Sequence, residues 1–236
     1  MKILVGNWKS NGNTSNKRKL FSALRRIKTD VKIILCLPYT LLGGDKNKNI
    51  AIAAQNISSF ENGAFTGEIS GQMIKDTGAK YVLIGHSERR TYHRETNAIV
   101  KDKAQLAIKY GLIPIICIGE TLAEHKANKT KSVIKKMLLE SIPDNGKFII
   151  AYEPRWAIGT GITPTKTEVQ QIHQFIFNIL HNIDQEKTPI LFGGSINAKN
   201  ATRFITIPHV DGYMVGRASL KPETFLPIIQ QMNKIQ

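Results

Sequence analysis

The sequence predicts a single (β/α)8 barrel that spans residues 1–236 as one domain. Eight short apolar runs recur along the chain, and amphipathic or loop segments long enough to cross over separate them. The runs are nearly continuous in Ile, Val and Leu, which is typical of parallel strands buried on both faces. An open doubly wound sheet is the alternative, but it usually carries a glycine-rich fingerprint after its first strand. The sequence NWKS at residues 7–10 has no such fingerprint, so the barrel is favoured.

The apolar runs give the predicted strands in order. They are Ile3–Trp8, Ile33–Leu37, Ile50–Ala54, Tyr81–Ile84, Leu112–Ile118, Phe148–Tyr152, Ile190–Phe192 and Val210–Val215. Pro114 lies inside the fifth run. Because proline has no backbone N–H to donate, we expect it at the first paired position of that strand.

Apolar side chains between the strands recur at steps of three and four residues, as on one face of a helix. The stripes are Val169, Ile172, Ile176, Ile179 and Ile183; Leu20, Leu24 and Ile27; and Phe225, Ile229 and Met232. Gly111 is placed to end a helix that begins near Asn97, and Pro222 is placed to open the last helix. The second crossover, Tyr39–Asn49, is short and rich in Gly, Lys and Asn, so we expect a single helical turn there.

The composition is that of a basic globular protein. Lys and Arg total 33 against 18 Asp and Glu, a formal net charge of +15, which would suit nucleic acid, an anionic surface or an anionic metabolite. The basic residues are spread along the chain without interleaved aromatic residues. We therefore expect a solvated surface and regard nucleic-acid binding as unlikely.

The two cysteines and the apolar runs bear on compartment and metal content. Cys36 and Cys117 lie inside apolar runs with no CxxC and no Cys/His cluster, so we expect buried thiols, no disulfide and no metal site. No run approaches the roughly 18 apolar residues of a membrane span. The first residues do not have a signal-peptide layout. We therefore expect a cytoplasmic protein without a membrane partner.

In a barrel the chemistry gathers at the carboxyl ends of the strands. Lys9 follows the first strand as a cation for an anionic substrate. His86 follows the fourth strand and opens a helical turn whose N–H groups favour a neutral imidazole. Glu153 ends the sixth strand, where burial would raise its proton affinity and suit it to act as a base. Taken alone, a lysine after a strand is usually a solvated loop charge, and a histidine there is more often structural. The ordinary alternative for Glu153 is an ion-paired glutamate.

Two further segments at the same end suit a phosphorylated substrate. The chain after Glu153 has a rigid Pro-x-Trp start and a Gly-Thr-Gly tip, which suits a hinged lid. The predicted lid consists of Pro154, Arg155, Trp156, Ala157, Ile158, Gly159, Thr160 and Gly161. Small residues after strands seven and eight let backbone N–H groups approach a phosphate, and this corner is the recurring phosphate site of barrels.

Ordered motifs resemble the triosephosphate isomerase family along nearly the whole chain. They are NWK at 7–9, GAFTGE at 63–68, IGHSERR at 84–90, CIGETL at 117–122, AYEPRWAIGTG at 151–161, GGS at 193–195 and VGRASL at 215–220. The resemblance implies an enzyme that interconverts dihydroxyacetone phosphate and glyceraldehyde 3-phosphate by proton transfer, with no cofactor and no metal.

The resemblance also implies roles for individual residues. Glu153 would remove the proton at C1 or C2, and neutral His86 would hydrogen-bond the enediolate oxygens. Lys9 would offset negative charge, Asn7 would orient the carbonyl side, and Glu88 would organise Lys9. The phosphate would rest on the backbone N–H groups of Gly159, Ser195, Gly216 and Arg217.

A homodimer is the working form that the resemblance implies. The stretch Gln55–Glu68 is similar to a family loop that inserts into a second subunit. Thr66 would then lie beside the active site of the neighbouring subunit. The expected partners are therefore a triose phosphate and a second copy of the chain.

Three positions depart from the family pattern. Arg217 stands where many members have a second glycine, Phe192 replaces the usual tyrosine, and residues 162–164 lack the commoner lysine at the end of the lid. Two other functions remain open. A different phosphate-binding barrel, such as a sugar-phosphate epimerase, should show metal ligands or paired aspartates, and the sequence shows neither pattern. A cationic barrel with an added nucleic-acid or surface-binding role would use the basic surface.

Overall fold

The chain folds into a closed barrel of eight parallel strands in sequence order, in which β8 pairs with β1. The structure, a computed structural model, describes residues 1–43, 50–158 and 162–235. The strands are β1 Ile3–Asn7, β2 Lys32–Leu37, β3 Ile50–Ala54, β4 Tyr81–Ile84, β5 Ile113–Ile118, β6 Ile149–Tyr152, β7 Ile190–Gly193 and β8 Gly212–Val215. The predicted (β/α)8 barrel is confirmed, with strand ends that differ from the prediction by up to two residues.

Helices surround the barrel between successive strands. Those described are α1 Thr14–Leu24, α2 Gly71–Asp76, α3 Ser87–Tyr92, α4 Asn97–Lys109, α5 Leu122–Lys126, α6 Thr130–Ser141, α7 Lys166–His181, α8 Ala201–Ile205 and α9 Pro222–Asn233. None of the helices in the described ranges is both long and apolar enough to cross a membrane.

Both faces of each strand are buried, which explains the continuous apolar runs. On β2, Ile34 and Cys36 belong to a cluster made only of strand residues, the barrel interior. Ile33 and Leu35 belong to the cluster that includes the helices, the layer outside the barrel. Cys36 is a buried free thiol, as predicted, and burial raises its pKa.

Pro114 fits its strand because of where pairing with β6 begins. The N–H of Ile113 donates to Lys80 O in the direction of β4 at 2.9 Å. Successive backbone groups of a strand alternate direction, so the nitrogen of Pro114 faces β6. Pairing with β6 starts only at Ile115, so no ladder hydrogen bond is lost. Pro114 is the second residue paired with β4 but precedes the first pair with β6.

The helix predictions hold with two exceptions. The stripe Leu20, Leu24 and Ile27 is wrong at its end, because α1 ends at Leu24 and Ile27 lies beyond it. Gly111 has φ of +73° after α4, and Pro222 is the first residue of α9, both as predicted. The predicted stripe of α7 is wrong at its end. Leu180 completes the buried stripe, whereas Ile183 lies beyond the helix and is 37 % exposed. In the second crossover, Tyr39–Leu41 forms one turn of 3-10 helix, and residues 44–49 lie outside the described ranges.

Candidate active site

The predicted site residues meet at the carboxyl end of the barrel. Asn7 ends β1, His86 follows β4 and Glu153 follows β6, and all three are buried. Asn7 and Glu153 line a pocket of about 610 Å³, together with Lys9. Asn7, Lys9 and His86 also line an adjoining pocket of about 320 Å³, together with Glu88. The fold therefore brings the five predicted catalytic residues to one place.

His86 is held by the helix that it opens. Its Nδ1 accepts the backbone N–H of Glu88 at 3.3 Å, in the N-cap position of α3. A ring nitrogen that accepts a hydrogen bond carries no proton, so the proton of a neutral His86 is on Nε2. That Nε2 lies 3.3 Å from Oε2 of Glu153. The two atoms are buried and have no hydrogen-bond partner among the described residues, so both can engage a substrate that lies against them.

Glu153 is a buried carboxylate with raised proton affinity. Burial raises the pKa of Glu153 above its ordinary value, and the nearby charge of Glu88 adds to this effect. His86 and Lys9 act in the opposite direction but do not outweigh burial. A carboxylate with a raised pKa is the better base at neutral pH because it takes up a proton more readily.

Two glycines make room for Glu153, and sequence reasoning missed this role. A Cβ atom on Gly193 would lie 2.4 Å from Cγ of Glu153, and one on Gly119 would lie 1.8 Å from its carbonyl oxygen. The sequence pattern predicts for Gly193 only that it lets backbone approach a phosphate. The motifs around both glycines were visible in the sequence, but the contacts become clear only when β5, β6 and β7 are adjacent.

Lys9 adopts a left-handed backbone, with φ of +54°. Such a conformation in a residue other than glycine costs about 1–3 kcal/mol and needs support. The backbone N–H of Lys9 donates to Oδ1 of Asn7 at 3.0 Å, and Gln55 donates to the carbonyl of Lys9 at 2.9 Å. Its Nζ lies 2.5 Å from Oε1 of Glu88. Gln55 is therefore a supporting residue that the motifs did not identify in this role.

A buried ion cluster anchors the helix that carries His86 and Glu88. Arg89 Nε and Lys103 Nζ lie 2.5 and 2.6 Å from the same oxygen of Glu95. Burial alone would raise the pKa of Glu95, but hydrogen bonds from Lys103 and Arg89 hold that pKa below its ordinary value. The cluster joins α3 to α4 and so fixes the turn at His86.

The corner after β7 and β8 faces the same pocket as Lys9. Ser195, Gly216 and Arg217 line that pocket, and Ser195 Oγ donates to the carbonyl of Ala157 at 3.1 Å. Arg217 is exposed and opens a 3-10 turn. Gly159, the fourth predicted phosphate contact, lies outside the described residues.

The first part of the predicted lid is described. Pro154 precedes a turn of 3-10 helix, Arg155–Ala157, and Ile158 follows it. Trp156 donates its indole N–H to Glu120 at 2.9 Å. The predicted tip residues Gly159, Thr160 and Gly161 lie outside the described ranges.

Phe192 is fully buried and packs on other aromatic rings. Its ring centroid lies 5.1 Å from that of Phe204 and 6.1 Å from that of His173. It therefore acts as a core residue.

Thr66 does not reach the active site of its own chain. It is exposed, next to Phe65, whose ring stacks on Phe60 with centroids 4.2 Å apart. Both rings are unusually open to solvent, at 51 % for Phe60 and 41 % for Phe65. Within the described parts of the chain, no group of three or more His, Cys, Asp and Glu side chains could hold a metal ion.

A closed (β/α)8 barrel with a buried carboxylate–histidine pair, a cation and a glycine-rich corner belongs to the class of barrel enzymes that act on phosphorylated substrates. The family model described as triosephosphate isomerase matches residues 2–232. The triosephosphate isomerase of Albidiferax ferrireducens is 43 % identical over 97 % of this chain and 97 % of its own length. That of Paracidovorax citrulli is 42 % identical over 97 % of each.

A solved structure is similar throughout. The crystal structure of triosephosphate isomerase from Bartonella henselae has a TM-score of 0.87 and 37 % identity, and the match covers 98 % of each chain. The chain therefore belongs to the triosephosphate isomerase family.

Proposed function

We propose that the chain interconverts dihydroxyacetone phosphate and D-glyceraldehyde 3-phosphate, with Glu153 as the base. The observation that carries this proposal is the pair of buried, unpartnered atoms 3.3 Å apart, Oε2 of Glu153 and Nε2 of His86. A substrate that lies against both atoms can lose a proton from carbon to Glu153. The same substrate can accept a hydrogen bond from His86 at oxygen.

The proton transfer is balanced without a further reactant. Glu153 takes a proton from C1 of the ketone, and the C–H electrons form the C1–C2 double bond of an enediolate. Negative charge moves to the oxygen on C2, where the Nε2–H of His86 and the ammonium of Lys9 stabilise it. Protons move between the two oxygens through His86, and Glu153 returns its proton to C2 to give the aldehyde.

Substrate binding is assigned to the remaining predicted residues. Asn7 supports the backbone of Lys9 and orients the carbonyl side of the substrate, while Glu88 holds the Lys9 ammonium. The phosphate is bound by the backbone N–H groups of Ser195, Gly216 and Arg217, with Gly159 as a fourth donor. The predicted lid, 154–161, covers the substrate, and residues 1–236 act as one catalytic domain.

A homodimer is proposed as the active form. The exposed stack of Phe60 and Phe65 next to Thr66 is an apolar projection that a second copy would bury. Sedimentation should give a dimer whose specific activity falls on dilution, and Phe65→Asp should favour the monomer. A fully active monomer would contradict the proposal. A cytoplasmic location is also proposed, as suits a glycolytic enzyme, and cell fractionation would test it.

The experiment that tests the reaction follows the transferred proton. The pure protein should convert dihydroxyacetone phosphate to the aldehyde in a coupled assay, and in heavy water the product should carry deuterium at C2. Glu153→Gln should abolish both conversion and deuterium incorporation because it removes the base. Conversion that persists in this variant would refute the assignment. Retention on heparin, measured alongside, would report any additional polyanion binding of the basic surface.

A further inference from the structure

His125 lies between groups from three other elements, and the proposed mechanism does not use it. Its Nδ1 lies 3.7 Å from Oε1 of Glu120, which follows β5, and its Nε2 lies 3.9 Å from Oε1 of Glu168 in α7. Its ring stacks on the indole of Trp156 with centroids 4.6 Å apart and an interplanar angle of 30°. A single imidazole therefore contacts the predicted lid at Trp156 and the chain after the lid at Glu168.

At the start of the lid, the contacts converge on Glu120, which follows β5. The carboxylate of Glu120 is fully buried and accepts the indole N–H of Trp156 at 2.9 Å and the hydroxyl of Tyr152 at 3.3 Å. The carbonyl of Glu120 accepts the backbone N–H of Arg155 at 3.0 Å. The hydrogen bond fixes one edge of the indole, and the His125 ring packs against its face.

After the lid, the contact is with the first turn of α7. Thr165 donates its backbone N–H and its hydroxyl to Oε2 of Glu168, each at 2.7 Å, in a capping box. Oε1, the other oxygen of Glu168, faces His125. His125, Trp156, Glu168 and Pro164 line one cleft of about 230 Å³. The imidazole thus lies where the start and the end of the segment come together.

The segment that Trp156 belongs to leads directly from Glu153. Trp156 is three residues beyond the proposed base and lies in the turn Arg155–Ala157. A displacement of the indole would therefore act on the chain at Glu153.

We infer that His125 is a positioning residue whose ring fixes Trp156 and thereby keeps the carboxylate of Glu153 in place for proton transfer. This inference rests on the proposed role of Glu153 as the base. The ring carries most of the effect, since distances of 3.7 and 3.9 Å are too long for hydrogen bonds. His125 and Glu168 are also partly exposed, which makes any charge interaction between them weak.

The expected effect follows from the strength of an aromatic stack. Such a pair adds stabilisation to that of its buried area, and the added part shifts a conformational equilibrium by about two- to tenfold. His125→Ala should lower kcat by about three- to tenfold, because the base is misplaced for part of the time. KM should change little, because the phosphate corner after β7 and β8 does not contact His125.

The experiment compares three variants with one matched control. His125→Ala removes ring and polar atoms, His125→Gln keeps polar atoms without the ring, and His125→Phe keeps the ring without polar atoms. The control is His181→Ala, which removes an exposed imidazole that faces the ring of Phe177 at 6.1 Å, outside the cleft. Kinetics are measured well below the unfolding temperature. A simple loss of stability would then leave kcat unchanged.

A spectroscopic readout reports the indole directly. The chain has two tryptophans, and Trp8 is fully buried, so a change in acrylamide quenching reports Trp156. His125→Ala and His125→Gln should lower kcat and increase quenching. His125→Phe should restore both towards the wild-type values, and His181→Ala should alter neither.

Several results would overturn the inference. They are an unchanged kcat in His125→Ala, a rise in KM alone, increased quenching without loss of kcat, or a loss that His125→Phe does not restore. Failure of the proposed function has a different signature. It would appear as normal turnover in Glu153→Gln, whatever the quenching of the His125 variants.

Discussion

Glu153→Asp keeps the charge of the proposed base but shortens its side chain by one methylene. The carboxylate would retreat by about 1.5 Å, one C–C bond, from a position 3.3 Å from Nε2 of His86. The backbone cannot follow, because the N–H of Glu153 donates to Ile118 O at 2.9 Å. Gly119 also packs so tightly that a Cβ there would lie 1.8 Å from the carbonyl oxygen of Glu153. The gap therefore remains in the variant.

The size of the gap sets the expected loss. Misplacing a reacting group by ~1 Å can lower the rate on the order of a hundredfold. That factor corresponds to about 2.7 kcal/mol of transition-state free energy. We expect kcat to fall by about this factor for both the forward and the reverse isomerisation. KM should change little, because Ser195 and Gly216 still bind the phosphate.

Coupled assays in both directions test this, with circular dichroism to show that the variant is folded. Glu223→Asp, the same change at an exposed residue in the first turn of α9, is the control. Burial raises the pKa of Glu153, so kcat/KM of the wild type should fall as pH decreases through a pKa above the ordinary glutamate value of about 4.3. Turnover near the wild-type rate in Glu153→Asp, or a change in KM alone, would refute the assignment of the base.

Three further substitutions probe the groups around the base. His86→Gln should lower kcat by about 10²–10³ with a small change in KM, because a donor to the developing oxyanion is lost; a pure KM effect in steady-state kinetics would make His86 only a binding residue. Lys9→Ala should damage both kcat and KM, and high salt should not restore them, since the ammonium acts inside a closed site; unchanged kinetics would return Lys9 to a solvated-loop role. Glu95→Gln should lower the free energy of unfolding by about 3–5 kcal/mol, because Arg89 and Lys103 lose their shared carboxylate; denaturant unfolding tests this, and a loss below about 1 kcal/mol would resemble a surface pair.

The barrel could be predicted because its strands are buried on both faces. Each strand then becomes a continuous apolar run, a signal that needs no knowledge of its neighbours. The end of α7 was less predictable. Steps of three and four residues continue the stripe either to Leu180 or to Ile179 and Ile183. The helix ends at His181, so only the first choice lies on it as a buried residue. Apolar periodicity alone does not reveal where a helix stops.

The site was predictable where residues follow strands and less so where contacts cross between elements. Lys9, His86 and Glu153 were identified because strand ends converge in a barrel. Gln55, which supports the backbone of Lys9, and His125, which stacks on the predicted lid, lie on other elements. No local pattern marks a residue whose role is a contact far away in sequence.

The buried base should also weaken the fold at neutral pH. A carboxyl whose pKa is higher in the folded than in the unfolded state stabilises the fold when it is protonated, below the unfolded pKa. That stabilisation is lost as pH rises through the folded pKa. Ionised Glu153 therefore destabilises the protein at neutral pH, since burial is the largest cause of its shift. Glu153→Gln should unfold at a higher temperature than the wild type at neutral pH, and the difference should shrink as pH falls towards about 4. Calorimetry of both proteins across this range tests the sign, with the exposed Glu223→Gln as the control. A lower unfolding temperature for Glu153→Gln at neutral pH would mean that His86 and Lys9 fully compensate the buried charge.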